Sequence, residues 1–191
     1  MITIIVIAII AIIIITWIVI YNRLVRASTY VDESWSQIDV QLKRRNDLIP
    51  NLISTTKGYA NYEQSTLTKV TQLRQQLVSM DDNGDRNQMM HVSDQLSNTL
   101  KSIFAVSENY PELKANNQFQ QLMEELSNTE NKIAYSRQLY NSSVASFNMK
   151  IKTFPANLIA GHHHFIKRDY LEVPSNEKQT PHVNFDEFNQ K

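Results

Sequence analysis

The sequence predicts an all-α protein with an N-terminal transmembrane helix followed by an elongated antiparallel bundle of about four helices. Three observations predict this fold class. The chain of 191 residues contains only three glycines and five prolines, which leaves little material for tight hairpins and sheets. An uncharged apolar run occupies residues 2–20. Beyond that run, apolar residues recur at alternating spacings of three and four, the pattern of amphipathic helices.

The apolar run ITIIVIAIIAIIIITWIVI is predicted to cross the bilayer, since its about 19 residues approach the roughly 20 that a spanning helix needs. A cleaved signal peptide is the alternative, but the start MITIIV lacks the cations of such a peptide. Trp17 and Tyr21 fall where aromatic rings settle at lipid headgroups. Cations follow the run and do not precede it: Arg23, Arg26, Lys43, Arg44 and Arg45. We therefore expect a single-pass protein of the cell membrane, with its N-terminus outside and its bundle in the cytoplasm.

The first bundle helix is predicted to continue the span without a break. Its apolar stripe consists of Val31, Trp35, Ile38, Leu42, Ile49 and Leu52. Pro50 predicts a kink in this helix, whose missing hydrogen bond must be compensated locally, or alternatively a helix end just before it. Gly58 is a candidate C-terminal cap, and Asn61 with Gln64 resembles a capping box that starts the second helix.

Three further helices complete the predicted bundle. The second helix carries Leu67, Val70 and Leu77 and ends at the turn sequence DDNGD, residues 81–85. The third is predicted over 88–108, where Tyr110-Pro111 stops it because a residue before proline avoids helical geometry. The fourth, over 116–154, has the longest stripe.

The helical pattern decays beyond the sequence FPANLIAG, and Pro174 and Pro181 interrupt a polar stretch. We therefore divide the chain into a transmembrane anchor (1–22), a helical bundle (23–160) and an extended C-terminal tail (161–191).

Charged residues interrupt the apolar stripes of the first and fourth helices. If these helices run antiparallel, the register places Arg45 opposite Glu130, and Asp39 opposite Arg137. We expect these four residues to form an internal ionic network that fixes register more than it adds stability. The alternative is that each charge reaches water at the edge of its stripe.

Long motifs of this chain resemble those of the LemA family. They are YNRLVRA from Tyr21, WSQIDVQLKRRNDLIPNLISTTKGYANYE (35–63), YPELKANNQFQQLMEEL (110–126), ENKIAYSRQLYNSSVASFN (130–148) and FPANLIA from Phe154. The resemblance implies a single-pass membrane protein with an elongated helical bundle, usually with the N-terminus outside. It implies no established reaction, so no catalytic residue is carried over.

The resemblance also implies that the polar positions of the family motifs are filled here, by Asp39, Arg44, Arg45, Asp47, Glu63, Glu130, Arg137 and Asn141. One departure is GHHHF, residues 161–165, where LemA-like chains generally pass from glycine to an aromatic residue without a histidine run.

The histidine run, His162 to His164, raises the question of a metal site because imidazole ligates zinc, copper and nickel. Adjacent ligands are poorly spaced for one ion, and His182 or Asp169 would have to complete the set. A solvated loop is the favoured interpretation. We predict no metal and no cofactor.

Composition and motifs argue against catalysis and nucleic-acid binding. Nineteen Lys and Arg balance nineteen Asp and Glu, so the chain lacks the cationic field that nucleic acid requires. It has no cysteine, no phosphate-binding glycine loop, no HExxH and no nucleophile elbow. We expect no enzyme; an unrecognised hydrolase is a minor alternative.

Function is therefore expected to reside in surfaces. The favoured hypothesis is a membrane-anchored scaffold that binds protein partners, of unknown identity, or further copies of itself. The alternative is a membrane-shaping protein, in which the tail segment FIKRDYLEV inserts Phe165, Tyr170 and Leu171 at the bilayer interface. The lipid bilayer is a predicted partner in either case.

Overall fold

The computed structural model describes residues 1–57, 64–80 and 85–172, and within these ranges the regular secondary structure is entirely α-helical. The helices are α1 (Ile2–Thr56), α2 (Gln64–Ser79), α3 (Arg86–Ser107), α4 (Pro111–Lys114), α5 (Asn117–Lys152) and α6 (Ala156–His162). The predicted all-α class is confirmed. The predicted cap at Gly58, the capping box at Asn61, residues 81–84 of the predicted turn at 81–85, and the tail beyond 172 lie outside the described residues.

Helix α1 is continuous over 55 residues, so it measures about 80 Å at 1.5 Å per residue. Residues 1–19 are exposed throughout, and buried residues begin at Leu24. The apolar segment is long enough to cross a membrane, and none of its residues is buried. Helix α1 therefore has two parts: an exposed apolar segment at its start, and a later part whose apolar face is buried in the bundle core.

Helices α1 and α5 form the central antiparallel pair. The Oγ atoms of Ser34 and Ser143 lie 2.9 Å apart, and the rings of Trp35 and Tyr140 meet edge to face at 5.9 Å. Helices α2 and α3 cover the half of this pair that is distant from the apolar segment. The core shared by the four long helices is built from residues including Ile38, Leu42, Ile49, Val70, Leu73, Leu96, Ile103, Leu126 and Ile133.

Pro50 lies inside α1, which continues to Thr56, so the alternative of a helix end before Pro50 is wrong. A proline has no N–H to donate to the carbonyl four residues earlier, which here is that of Asn46. Nε of Arg74, on α2, donates to this carbonyl oxygen at 2.8 Å. The missing bond of α1 is thus replaced by a neighbouring helix.

The fourth predicted helix is preceded by a short element. Pro111 occupies the first position of α4, and Leu113 of this turn is fully buried. Helix α5 then begins at a capping residue, Asn116, whose side chain accepts the N–H of Phe119 at 3.1 Å. The bend between α4 and α5 therefore has a buried anchor and a polar cap.

The chain after α5 folds back on the bundle. Helix α6 crosses the predicted domain boundary at residue 160 and ends at His162, and His164, two residues later, adopts φ 56°. Phe165 N–H then donates to the Ala160 carbonyl at 2.9 Å and His164 N–H to that of Gly161 at 3.4 Å, a Schellman-type cap in which histidine takes the left-handed position. This turn reverses the chain.

Residues 165–172, which we call the strap, run along α5 away from the apolar segment. The side-chain amide of Asn148 accepts the N–H of Arg168 at 2.9 Å and donates to its carbonyl at 2.8 Å. Asn141 makes the same two bonds to Leu171, at 2.9 and 3.0 Å. Leu171 is 3% exposed and belongs to the core. The first part of the predicted tail is therefore docked on the bundle.

Replacing Arg74 by methionine should lower the free energy of unfolding by about 1–3 kcal/mol, because the Asn46 carbonyl loses a charged donor. In a Pro50→Ala background the same replacement should cost less, since residue 50 then supplies its own N–H. Urea unfolding of the four proteins of this cycle in detergent micelles measures the difference. The exposed Lys69→Met on α2 is the matched control, and an equal cost in both backgrounds would contradict the compensation.

Candidate functional site

The most deeply buried charge of the described chain is Arg45, whose side chain is 0% exposed and is the largest of the fully buried ones. It occupies the apolar stripe of α1 between Leu42 and Ile49. Removing a guanidinium from water costs several kcal/mol unless partners replace its hydration. The surrounding helices therefore have to supply those partners.

Partners for Arg45 come from both α3 and α5. Its Nη1 lies 2.9 Å from Oε1 of Glu130 and donates at 2.9 Å to Oγ of Ser97. The Ser97 hydroxyl in turn donates to Oε2 of Glu130 at 2.6 Å, which closes a ring. Nη2 donates to Oγ of Ser93 at 3.0 Å, and only Nε is left without an acceptor among the described residues. We call Arg45, Glu130, Ser93 and Ser97 the buried ionic cluster.

A second ion pair lies beside this cluster. Nη2 of Arg137 is 2.5 Å from Oδ1 of Asp94, on α3. The sequence predicts Asp39 opposite Arg137, and this pairing stays a prediction: the structure shows the carboxylate of Asp94 on Arg137, and Asp39 is half-buried on α1 and is not without a partner. The contact with Asp94 lies outside a register between two helices because α3 lies against both α1 and α5.

The serines and Asp94 were missed in the sequence analysis. Ser93 and Ser97 lie one turn apart and flank the stripe residues Val92 and Leu96, so they share a side of α3. Polar residues at that spacing beside an apolar stripe are the signal that would have indicated a polar partner for Arg45.

Asp32 joins α1, α3 and the strap near the edge of the bundle. Its carboxylate lies 3.3 Å from Arg86 and 3.5 Å from Arg168. The Arg86 guanidinium also covers the Trp35 ring, 4.9 Å from its centroid, which is a cation–π arrangement. Helix α3 begins here, so the bundle of four helices ends at the level of Asp32.

The histidine run packs on the aromatic residues that end the apolar segment. The ring centroids of His163 and Tyr21 lie 4.6 Å apart, and those of His162 and Trp17 lie 5.6 Å apart. The indole N–H of Trp17 donates to Nε2 of His163 at 3.4 Å, so this nitrogen serves as an acceptor. Within the described ranges no group of three or more His, Asp or Glu residues could hold a metal ion.

A groove of about 870 Å³ opens between α1 and α5, just beyond the apolar segment. It lies between Asp32 and the apolar segment, where α2 and α3 no longer pack against α1 and α5. Its walls are mostly apolar, including Ile20, Leu139 and Met149, and its cations are Arg23, Arg26 and Lys150. We call it the proximal groove.

These features differ in what they can do. The buried ionic cluster is closed: its carboxylate is held by Arg45 and Ser97, so it fixes the relative positions of three helices and offers no free reactive group. The proximal groove is open and combines apolar walls with positive charge, so it can accept an amphiphilic ligand.

Replacing Glu130 by alanine should lower the free energy of unfolding by about 3–5 kcal/mol, because Arg45 would stay buried without its counter-charge. The matched control is Glu125→Ala on the same helix, which breaks the exposed pair of Arg44 and Glu125 at 2.6 Å. That variant should cost less than about 1 kcal/mol. Urea unfolding in detergent measures both, and a similar small cost for the two variants would contradict a buried pair.

The double variant Arg45→Met with Glu130→Leu extends this test. Because it removes both charges and keeps apolar volume, it should be more stable than Glu130→Ala alone. A double variant that is no more stable than Glu130→Ala would mean that the lone buried guanidinium is not what destabilises the single variant.

Comparison with known proteins gives one family and several relatives. The family model described as LemA family matches residues 34–185. Protein LemA of Metamycoplasma hominis is 32% identical over 139 residues, which cover 73% of this chain and 63% of that protein. Magnetosome protein MamQ 2 of Paramagnetospirillum magneticum is 24% identical over 175 residues, which cover 80% of this chain and 64% of that protein. Magnetosome protein MamQ of Magnetospirillum gryphiswaldense is 23% identical over 163 residues.

This chain thus spans less than two thirds of the length of these relatives. The matched region contains most of the bundle, including the buried ionic cluster and the strap. Since the family model matches most of the chain, and Protein LemA of Metamycoplasma hominis is 32% identical over 73% of it, the chain belongs to the LemA family.

Proposed function

We propose that this protein is a membrane-anchored scaffold that holds a rigid helical bundle at the membrane surface for protein partners. The observation that carries this proposal is the continuity of α1, in which the apolar segment and the central bundle helix are one helix without a break. A bundle joined to its anchor by a flexible linker would take any orientation, whereas a continuous helix gives it one direction.

The contacts along α1 support this role. The buried ionic cluster joins α1 to α3 and α5, Arg74 of α2 binds the carbonyl of Asn46, and Asp32 binds Arg168 of the strap. Each of these polar contacts has a defined geometry, so the helices resist sliding past one another. Such a body suits the presentation of surfaces better than the closure of an active site.

The proposed topology is a single pass with the N-terminus outside and the bundle in the cytoplasm. Its support is the distribution of cations: Arg23 and Arg26 follow the apolar segment directly. A role without catalysis is part of the proposal, because the only carboxylate of the buried ionic cluster is held by Arg45 and Ser97.

Membrane shaping by the tail is disfavoured by the position of the strap. Leu171 is buried in the core, and the ring of Phe165 packs edge to face against that of Phe147, with 6.4 Å between the ring centroids. Two of the three side chains expected to insert into the bilayer are therefore engaged in the bundle, and only Tyr170 of the three is well exposed. Insertion would require the four hydrogen bonds from Asn141 and Asn148 to break.

The orientation can be tested with single cysteines, because the chain has none of its own. We expect a membrane-impermeant maleimide to label Thr3→Cys in intact cells, and to label the exposed bundle position Ser127→Cys only after the membrane is opened. The reverse pattern would place the bundle outside the cell and contradict the proposed topology.

The scaffold role can be tested by photo-crosslinking of the full-length protein in cells. A photoreactive amino acid is placed at Val78 or Tyr135, which are 63% and 68% exposed on α2 and α5. A scaffold should give discrete adducts at one or both sites. Adducts of twice the chain mass indicate a homo-oligomer, and adducts of another mass indicate a different protein. The same amino acid at Ile5 in the apolar segment is the control for random collisions in the membrane.

Light scattering of the protein in mild detergent gives the mass of the assembly independently. A monomeric mass together with no adduct from Val78 or Tyr135 would contradict the scaffold proposal.

A further inference from the structure

The proximal groove exists because the central helix pair is longer than the rest of the bundle. Helix α3 begins beside Asp32, through Arg86, while α1 and α5 continue together to the apolar segment. Helix α6 and the strap cover part of this extension, with Ile159 and Ala160 packed against Leu24. The remaining side stays open as the groove of about 870 Å³, a volume in the range of small-molecule sites.

The wall of the groove changes character along α1. It starts at Ile20, at the end of the exposed apolar segment, and Pro155 and Ala156 add apolar surface near this end. Farther from the apolar segment the wall combines the hydroxyl groups of Ser142 and Ser146 with the side chain of Leu139. An occupant that fits this wall is apolar where it meets the segment and carries polar groups that meet the two hydroxyls beyond it.

Three cations lie between these two parts. Arg23 and Arg26 are one turn apart on α1, and the registers given by Arg45–Glu130 and Ser34–Ser143 place Lys150 of α5 at the height of residues 25–27. All three side chains are exposed, and none of them forms a salt bridge with another described residue. They lie within about 9 Å of Ile20 along the helix axis. Their charge is therefore available to an anion at the membrane surface.

The aromatic residues fix the level of that surface. Trp17 and Tyr21 have the amphipathic side chains that settle among lipid headgroups, and His162 of α6 and the next residue, His163, pack on their rings. Arg23, Arg26 and Lys150 follow within the next turns, at the depth where the phosphate of a phospholipid in the same leaflet resides.

We propose that the proximal groove binds one anionic phospholipid, with its phosphate between Arg23, Arg26 and Lys150. Its acyl chains stay in the bilayer along the apolar segment, and its headgroup lies against Ser142 and Ser146. The inference rests on the membrane position of α1 proposed above, and it adds a specific lipid to the partners of the protein. Charge complementarity selects this occupant over a zwitterionic lipid, which carries no net negative charge to balance three cations.

The test uses full-length protein in nonionic detergent micelles, titrated with phosphatidylglycerol while native mass spectrometry counts the bound lipids. One lipid should bind preferentially, and phosphatidylcholine should bind more weakly. Lys150→Gln should weaken phosphatidylglycerol binding about fivefold, the usual contribution of one basic residue near an anionic surface.

The matched control is Lys152→Gln. Lys152 is exposed on the same helix, two residues from Lys150, and it does not line the groove. This variant changes the net charge equally at nearly the same height, so its lipid affinity should stay within twofold of the parent. Equal weakening by both variants would mean general surface attraction and would overturn the proposal.

A second pair of variants tests the shape of the groove without changing charge. Ser146→Trp fills the groove and should abolish preferential binding, whereas Ala145→Trp adds the same ring at the neighbouring exposed position and should preserve it. Melting temperatures of both variants verify that each is folded. Unchanged lipid binding by a folded Ser146→Trp would overturn the proposal.

Other occupants give distinct results. Inorganic phosphate that displaces the lipid at equal concentration would assign the cations to a free anion, and phosphatidylcholine that binds as tightly as phosphatidylglycerol would remove the role of charge; either overturns the proposal. A lipid that binds as expected to a protein that gives no crosslinked partner would overturn the scaffold alone. Protein recovered in the soluble fraction of cells would overturn both.

Discussion

The burial of Arg45 constrains the bundle more than any other interaction. A guanidinium without water needs acceptors in fixed directions, and here they come from α3 and α5 at once, through Ser93, Ser97 and Glu130. A shift of either helix by one residue would move it about 1.5 Å and separate these atoms. Apolar contacts tolerate such a shift far better because they have no preferred direction. We therefore infer that the cluster selects one register among those that the apolar stripes would accept.

Polar groups that need a partner also position α2, near Pro50, and the strap. Asn46 offers a carbonyl that its own helix cannot satisfy, and this carbonyl positions α2 through Arg74. Asn141 and Asn148 offer side-chain amides that pair with the backbone of the strap as an adjacent strand would. In each case a buried polar group that needs a partner decides where the next element lies, while apolar contacts provide most of the driving force.

The sequence predicts much of the fold because long stripes with helical spacing determine which face of each helix is buried. Antiparallel register was sufficient to bring Arg45 opposite Glu130, since both interrupt the stripes of the same helix pair. It could not identify Asp94 as the partner of Arg137, because that contact involves a third helix. The strap has no periodic pattern, and its docking depends on side-chain amides that bind backbone atoms of any sequence, so the pattern of residues does not predict where it lies. The contacts of His162 and His163 with Trp17 and Tyr21 join distant parts of the chain, so local sequence does not predict them either.

The unbroken course of α1 has a mechanical consequence. From Ile20 to Thr56 the helix extends about 54 Å beyond the apolar segment, and the buried ionic cluster and Arg74 prevent the bundle from bending independently of it. With the apolar segment across a bilayer, as proposed above, the bundle is a lever whose pivot lies in that bilayer. Transmembrane helices tilt by about 20° on average, and more when their apolar length exceeds the local bilayer thickness. A change in tilt of about 20° would carry the far end of α1 sideways by roughly 18 Å, so local membrane thickness would set how far from the anchor the bundle can reach.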